Sequence, residues 1–141
     1  MLGHSATRRG DSKWRRLTDE RARGAKSAFH FDAPGSVAKS THAGLPWLRA
    51  MRQRLGATVH FWPFDGWSVP EGRSVVVEAY PALHNRNYPP EDRNAHQQDA
   101  YCVAAWMASM DRRGRLDAFF HPNLTDSERA LAAVEGWIFG V

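Results

Sequence analysis

The sequence predicts a small α/β domain in which about three strands form a small mixed sheet and about four helices flank it. Two runs of strand length carry the prediction, since both are rich in β-branched and aromatic residues: Ser74–Leu83 (SVVVEAYPAL) and Thr58–Phe64 (TVHFWPF). Between and after them lie longer segments with helical spacing of apolar residues. A chain of 141 residues is long enough for one such domain with one core.

Positive charge is concentrated at the beginning of the chain. Met1–Lys26 contains eight Lys or Arg and three acids, whereas the remaining residues contain 11 and 12. We therefore expect residues 1–12 to be a disordered basic tail and residues 13–141 to form the domain. Such a segment favours phosphate backbones, although a solvated leader without a binding role is the alternative. Its candidate nucleic-acid contacts are Arg8, Arg9, Lys13, Arg15 and Arg16.

The first elements of the domain are predicted to be short. Thr18 is followed by Asp19 and Glu20, which is typical of a helix N-cap with acids in the first turn. We expect this helix to end near Gly24. Ser27–Phe31 (SAFHF) alternates between polar and apolar residues, which indicates a short strand or an extended segment.

A longer helix is predicted next, with Ser40 or Thr41 as its N-cap and Gly56 as its stop. Its core-facing stripe would consist of Leu48, Met51 and Leu55. The strand Thr58–Phe64 follows it. The link from Gly66 to Arg73 is too short for a helical crossover, so the two main strands are either antiparallel neighbours or joined by a coil.

Two further helices are predicted in the second half of the chain. One runs from near Asn94 to Met110, and the spacing of 4, 3 and 4 residues places four residues on one face: Asp99, Val103, Trp106 and Met110. The last helix opens with a capping box, Thr125-x-x-Glu128, and would present Leu131 and Val134 to the core. The apolar ending GWIFGV is expected to dock against the domain.

Two acids in apolar surroundings are the chemical lead. Glu78 interrupts the run of valines in Ser74–Leu83, and Asp99 lies at the start of the buried stripe of its helix. Converging carboxylates bind Mg²⁺ or Mn²⁺, so both are candidate metal ligands and catalytic residues, with His96 and Asp65 as auxiliaries. The alternative is an ion pair between Glu78 and an arginine such as Arg73 or Arg86, with Asp99 helping to cap its helix.

Other residue types give weaker indications. The histidines show no zinc-binding spacing, and the single cysteine, Cys102, is expected to pack in the core, as suits a reducing cytoplasm. No run of 18 apolar residues is present, so we expect a cytoplasmic protein without a membrane segment. Tryptophans can stack on bases, but we expect Trp47, Trp62 and Trp106 to pack in the core and only Trp67 to be available.

Taken together, the C-terminal segments resemble an uncharacterised bacterial family of predicted RNase H-like nucleases, within the ribonuclease H superfamily. The segments are SVVVEAYPAL, HQQDAYCVAAWMA, FFHP and VEGWIFGV, in that order. Upstream, FHFDAPGSVAKSTHAGLPWL and HFWPFDGW resemble the middle region of the same family. The resemblance covers roughly Lys13 to Val141.

The resemblance implies a partial RNase H-like fold whose acids hold Mg²⁺ or Mn²⁺ for phosphodiester hydrolysis. Glu78 matches the Glu of the family's E-x-[YH]-P element, and Asp99 matches the Asp of its D-A element. The family's opening glycine-rich strand, with its first metal-binding Asp, has no counterpart in Met1–Ala25. The chain is thus expected to be the C-terminal portion of the domain and a weak or inactive nuclease.

The missing strands bear on the expected partners, and the function has an alternative as well. An open sheet edge would favour a homodimer or a partner chain. A non-catalytic nucleic-acid-binding or accessory protein that uses the basic N-terminal segment is the alternative function, beside an inactive remnant.

Overall fold

The computed structural model describes residues 14–31, 34 and 36–141, and it has the predicted mixed α/β character. Residues 1–12, predicted to be a basic tail, lie outside the described residues. Within the described residues, four α-helices and two β-strands form the framework, with short 3₁₀ turns between them. In chain order these are α1 (Leu17–Arg21), α2 (Ala38–Leu55), β1 (Val59–Phe61), β2 (Ser74–Val76), α3 (Ala95–Arg112) and α4 (Asp126–Glu135).

The sheet is smaller than the sequence predicts. β1 and β2 are parallel, with Val59 opposite Ser74, and a coil joins them, which settles the direction that the sequence left open. On the other side of β2, Glu78 forms a parallel bridge with Ile138, and the Phe139 N–H donates to the Glu78 carbonyl at 2.9 Å. A third strand is thus reduced to one bridge, made by the C-terminal segment.

The outer side of β1 is partly closed by a side chain. The backbone N–H of Trp62 donates to the Val76 carbonyl, so in an alternating strand the Phe61 N–H points away from β2. That N–H donates instead to the Asp65 carboxylate at 2.8 Å. One of the edge donors that would pair with another strand is therefore already bonded within the chain.

The core is built around the C-terminal segment. Trp137, Ile138 and Phe139 are almost completely buried, which confirms that the apolar ending docks against the domain. Trp62 lies at the centre of the larger cluster and meets the Phe139 ring edge-on, with the ring centroids 5.7 Å apart. Such edge-to-face pairs add to the free energy gained from burying the rings.

Two predictions in the N-terminal part of the domain are wrong. Thr18 is not the N-cap of α1; Arg16 holds that position, and the buried Thr18 hydroxyl accepts a hydrogen bond from the Ile138 N–H at 2.9 Å. The Thr18 hydroxyl oxygen, which an N-cap would use to accept a hydrogen bond from its own helix, accepts one from the distant Ile138 N–H instead. Ser27–Phe31 forms turns and coil instead of a strand, and the Ser27 hydroxyl bonds to the Trp14 carbonyl.

The end of α2 at Leu55 matches the predicted stop at Gly56, but its beginning, its cap and its orientation do not match the prediction. Val37 is the N-cap, and the Ser40 hydroxyl donates to the Val37 carbonyl, so neither Ser40 nor Thr41 caps the helix. The predicted core stripe is exposed as well. Leu48, Met51 and Leu55 remain about two-fifths accessible, because no other element of the described chain packs over this face.

The last two helices begin where the sequence places them. Asn94 caps α3 together with Gln97, and the predicted capping box of Thr125 and Glu128 caps α4. The Thr125 N–H holds the pKa of the Glu128 carboxyl below its usual value. The rotation of α4 differs from the prediction: Leu131 and Val134 are exposed, whereas Ala132 is buried. α4 packs against α1, and the small Ala132 side chain permits this close approach.

Stability should depend on the docked C-terminal segment and not on the exposed face of α4. We expect Phe139→Ala to lower the free energy of unfolding by about 3–5 kcal/mol, because it leaves a cavity among aromatic rings. Val134→Ala, at a side chain 81% exposed, should change it by less than about 0.5 kcal/mol. Urea denaturation followed by far-ultraviolet circular dichroism measures both; similar losses for the two variants would contradict this arrangement.

Candidate functional site

The Glu78 carboxylate is held by Arg16. It follows β2 and lies beside α1, where Arg16 Nη1 donates to Glu78 Oε2 and Nη2 to Oε1, both at 2.7 Å. The Glu78 side chain is 44% exposed and that of Arg16 is 17% exposed. A bidentate guanidinium pair of this kind is among the strongest contacts that a carboxylate forms. The expected arginine partner is thus present, but it is Arg16 and not Arg73 or Arg86.

Arg16 binds three chain segments at once. Besides Glu78, it contacts the Asp19 carboxylate, with Nη2 to Oδ1 at 2.8 Å, and the Glu135 carbonyl, with Nη1 at 3.3 Å. Burial lowers the pKa of Arg16, but the hydrogen bonds to Glu78 and Asp19 outweigh it and raise the pKa overall. Arg16 therefore serves as an internal cation.

Asp99 lies in a different set of contacts. Its Oδ1 accepts a hydrogen bond from Asn85 Nδ2 at 3.0 Å, and the Cys102 thiol lies against the Asn85 amide oxygen. Asp99 does not cap α3, since Asn94 has that role. Cys102 is fully buried, as predicted, and burial followed by the nearby Asp99 charge raises its thiol pKa. A thiol with a raised pKa is a poor nucleophile, which agrees with a packing role.

The auxiliary candidates do not join the two carboxylates. His96 is exposed on the first turn of α3. Asp65 is used structurally, because it accepts from the Phe61 N–H and pairs with Arg52 of α2. A different histidine, His84, is buried against Trp106 with the rings stacked 4.0 Å apart, and burial lowers its pKa.

The described residues do not form the metal site that the resemblance implies. Glu78 and Asp99 share no hydrogen-bond partner, since one is paired with Arg16 and the other with Asn85. Within residues 14–31, 34 and 36–141, no three His, Cys, Asp or Glu side chains are grouped closely enough to hold a metal ion. The arrangement as it stands does not fit Mg²⁺ or Mn²⁺, which require several converging oxygen ligands.

The N-terminal cations are only partly described. Arg15 donates to the Ala25 carbonyl and Arg16 is committed to Glu78 and Asp19, so both are engaged within the domain. Arg8, Arg9 and Lys13 lie outside the described residues.

The sequence reasoning overlooked α2 as a functional surface. This helix carries Lys39, Arg49, Arg52 and Arg54 and no acid, whereas residues 56–141 carry seven Lys or Arg and eleven Asp or Glu, a net charge of −4. Among the described residues, only Arg52 of these four cations has an ion-pair partner. These charges can be counted in the sequence. The apolar stripe, however, predicted a buried helix, so the cations were not considered as a binding surface.

Trp47 is the most exposed aromatic residue on α2. Its side chain is 78% accessible, although a core position was predicted, while Trp67, predicted to be available, packs edge-on against Trp62 under Arg129. α2 contacts the rest of the chain near its ends. Phe31 meets His42 with the ring centroids 6.1 Å apart, and the Arg52 guanidinium lies 5.3 Å from the centre of the Phe61 ring. The face between these contacts remains accessible.

Comparisons with protein-family models, with curated proteins and with solved structures found no match to this chain. The resemblance to RNase H-like nucleases therefore stays a prediction. Within the part of the chain that the structure describes, no helix is both long and apolar enough to cross a membrane.

The Arg16 contacts give a direct test. We expect Arg16→Lys to lower the free energy of unfolding by about 2 kcal/mol, because a lysine cannot reproduce the fork that binds Glu78 and Asp19 together. Arg23→Lys, at an exposed arginine in the turn after α1, is the matched control and should have almost no effect. Equal urea midpoints for wild type and Arg16→Lys would rule out the structural role of Arg16.

Proposed function

We propose that the protein binds nucleic acid and that α2 is its contact surface. The observation that carries this proposal is a helix with four cations and no acid, held with most of its surface exposed. Lys39, Arg49 and Arg54 are free of ion pairs within the described residues and thus suited to contact phosphates. The alternative function from the sequence analysis is retained, with the contact surface extended from the N-terminal segment to α2.

The distribution of charge also supports α2 as the surface that contacts nucleic acid. Since residues 56–141 have a net charge of −4, a polyanion is repelled from them and attracted to α2. The attraction depends on salt, because each neutralised phosphate releases condensed counterions. Arg8, Arg9 and Lys13 are expected to add further phosphate contacts; Arg15 and Arg16 are not, because both are bonded within the domain.

The phosphate contacts are tested by a charge-removing variant of α2. We expect Arg49→Gln/Arg54→Gln to weaken binding of a fluorescein-labelled 20-base-pair duplex. The slope of log affinity against log salt should also become shallower, by about 1 for each lost phosphate contact. Fluorescence anisotropy over a series of KCl concentrations measures both quantities.

The matched control is Arg112→Gln/Arg113→Gln, which removes the same charge from exposed positions at the end of α3. This variant should keep the wild-type salt slope, with a modest loss of affinity from the change in net charge. Equal losses of affinity in the two double variants would mean that binding depends on the net charge of the protein and not on the cations of α2, which contradicts the proposed surface.

Metal-dependent cleavage of nucleic acid is the second candidate, and one observation favours it. Glu78 lies two residues after β2, beyond the carboxyl end of a parallel strand, where open α/β sheets bind their ligands. Arg16 now occupies its two oxygens, and Asp99 lies in separate contacts. Beyond this placement of Glu78, a catalytic role of the two acids rests on the resemblance.

Cleavage has a separate test. If the two acids are catalytic, Glu78→Gln and Asp99→Asn should each abolish Mg²⁺- or Mn²⁺-dependent cleavage of labelled DNA and RNA, because the amide removes the ligand charge. Glu71→Gln, at an exposed loop residue, is the control and should keep full activity. Cleavage that survives both substitutions would exclude Glu78 and Asp99 as the catalytic pair. Circular dichroism shows whether the loss of the Arg16 partner has unfolded the chain.

A further inference from the structure

We infer that the nucleic acid bound by α2 is single-stranded and that one of its bases stacks on Trp47. The inference rests on the proposed function and deepens it, because cations alone do not distinguish a single strand from a duplex. The distinguishing feature is the aromatic side chain that the fold leaves uncovered.

The accessible surface of α2 combines cations and apolar side chains with one strongly exposed indole. Leu48, Met51 and Leu55 are 40–43% exposed and Leu45 is 54% exposed, whereas Trp47 is 78% exposed. Arg54 lies two turns after Trp47 and therefore on the same side of the helix. An aromatic ring with an arginine beside it is the arrangement that binds single strands: the ring stacks on a base and the cation contacts the backbone.

A second exposed aromatic lies near the same helix. The contact between Phe31 and His42 brings the segment before α2 against the first half of the helix. Phe29, two residues earlier, is also largely exposed. His42 and Trp47 are five residues apart, roughly 7.5 Å along the helix axis and about 140° around it. The stacking contact is therefore assigned to Trp47, which shares its side of the helix with Arg54.

A duplex does not suit this surface. In a duplex the faces of the bases are hidden in the stack, so an exposed indole meets only base edges, sugars and phosphates. A single strand offers the face of every base. A second copy of α2 is a poor occupant as well, since four cations would face four cations across a two-fold axis.

The test compares Trp47→Leu with Trp47→Phe. Both remove the indole, but only the phenyl ring can still stack, so the pair separates stacking from apolar burial. With labelled 20-base oligo(dT), we expect Trp47→Leu to weaken binding by about tenfold and Trp47→Phe by less than about threefold. Binding of a 20-base-pair duplex should change by less than about twofold in either variant. Trp47 is exposed, so both variants should retain the wild-type circular dichroism spectrum.

Other outcomes would contradict the single-strand inference, the proposed function or both. Unchanged oligo(dT) binding by Trp47→Leu, or tighter binding of the duplex than of oligo(dT), would exclude the single-strand inference. The proposed function would stand if Arg49→Gln/Arg54→Gln still weakened binding. Absence of any oligonucleotide binding would end both proposals. Trp47-dependent binding to phosphatidylserine vesicles, or Trp47-dependent dimers in sedimentation, would identify a lipid surface or a second copy as the occupant instead.

Discussion

The guanidinium of Arg16 is the interaction on which the rest of the structure depends. It binds Asp19 of α1, the Glu78 carboxylate after β2 and the Glu135 carbonyl at the end of α4. The first and last helices of the described chain are thereby joined around a sheet that has two strands within these residues. A charge with so little exposure is tolerated because carboxylates and a carbonyl oxygen surround it. The adjacent hydrogen bond from the Ile138 N–H to the Thr18 hydroxyl extends the same junction.

This junction changes the meaning of the acid that the sequence singles out. Glu78 was expected within an apolar strand, where an unpaired carboxylate is costly. The structure places it at a half-exposed position after a three-residue strand and pairs both of its oxygens with one cation. The Glu78 carboxylate thus stabilises the fold, and a metal ion would have to compete with the Arg16 guanidinium for it. Asp99 has a comparable but separate environment beside Asn85 and Cys102.

α2 presents the opposite situation. The aromatic core is gathered around the C-terminal segment, and no described element covers the apolar side of this helix. Arg52 joins its last turn to Asp65 and Phe61, while Phe31 contacts it near His42. The helix is thus held near its ends and remains available between them. Its positive charge, set against the net negative charge of residues 56–141, is the reason that an anionic ligand is the natural occupant.

Local chemistry in the sequence by itself determined the beginnings of α3 and α4, the end of α2 and the docked ending. The capping box of Thr125 and Glu128 needs only residues three apart, and the beginning of α3 and the end of α2 follow from nearby start and stop residues. The tertiary structure alone decided which faces are buried and which partners meet. Thr18 bonds to Ile138 across 120 residues, and Arg16 meets Glu78 across 62. Periodicity shows that a helix has an apolar side, as in α2, but whether another element covers that side depends on packing between distant parts of the chain.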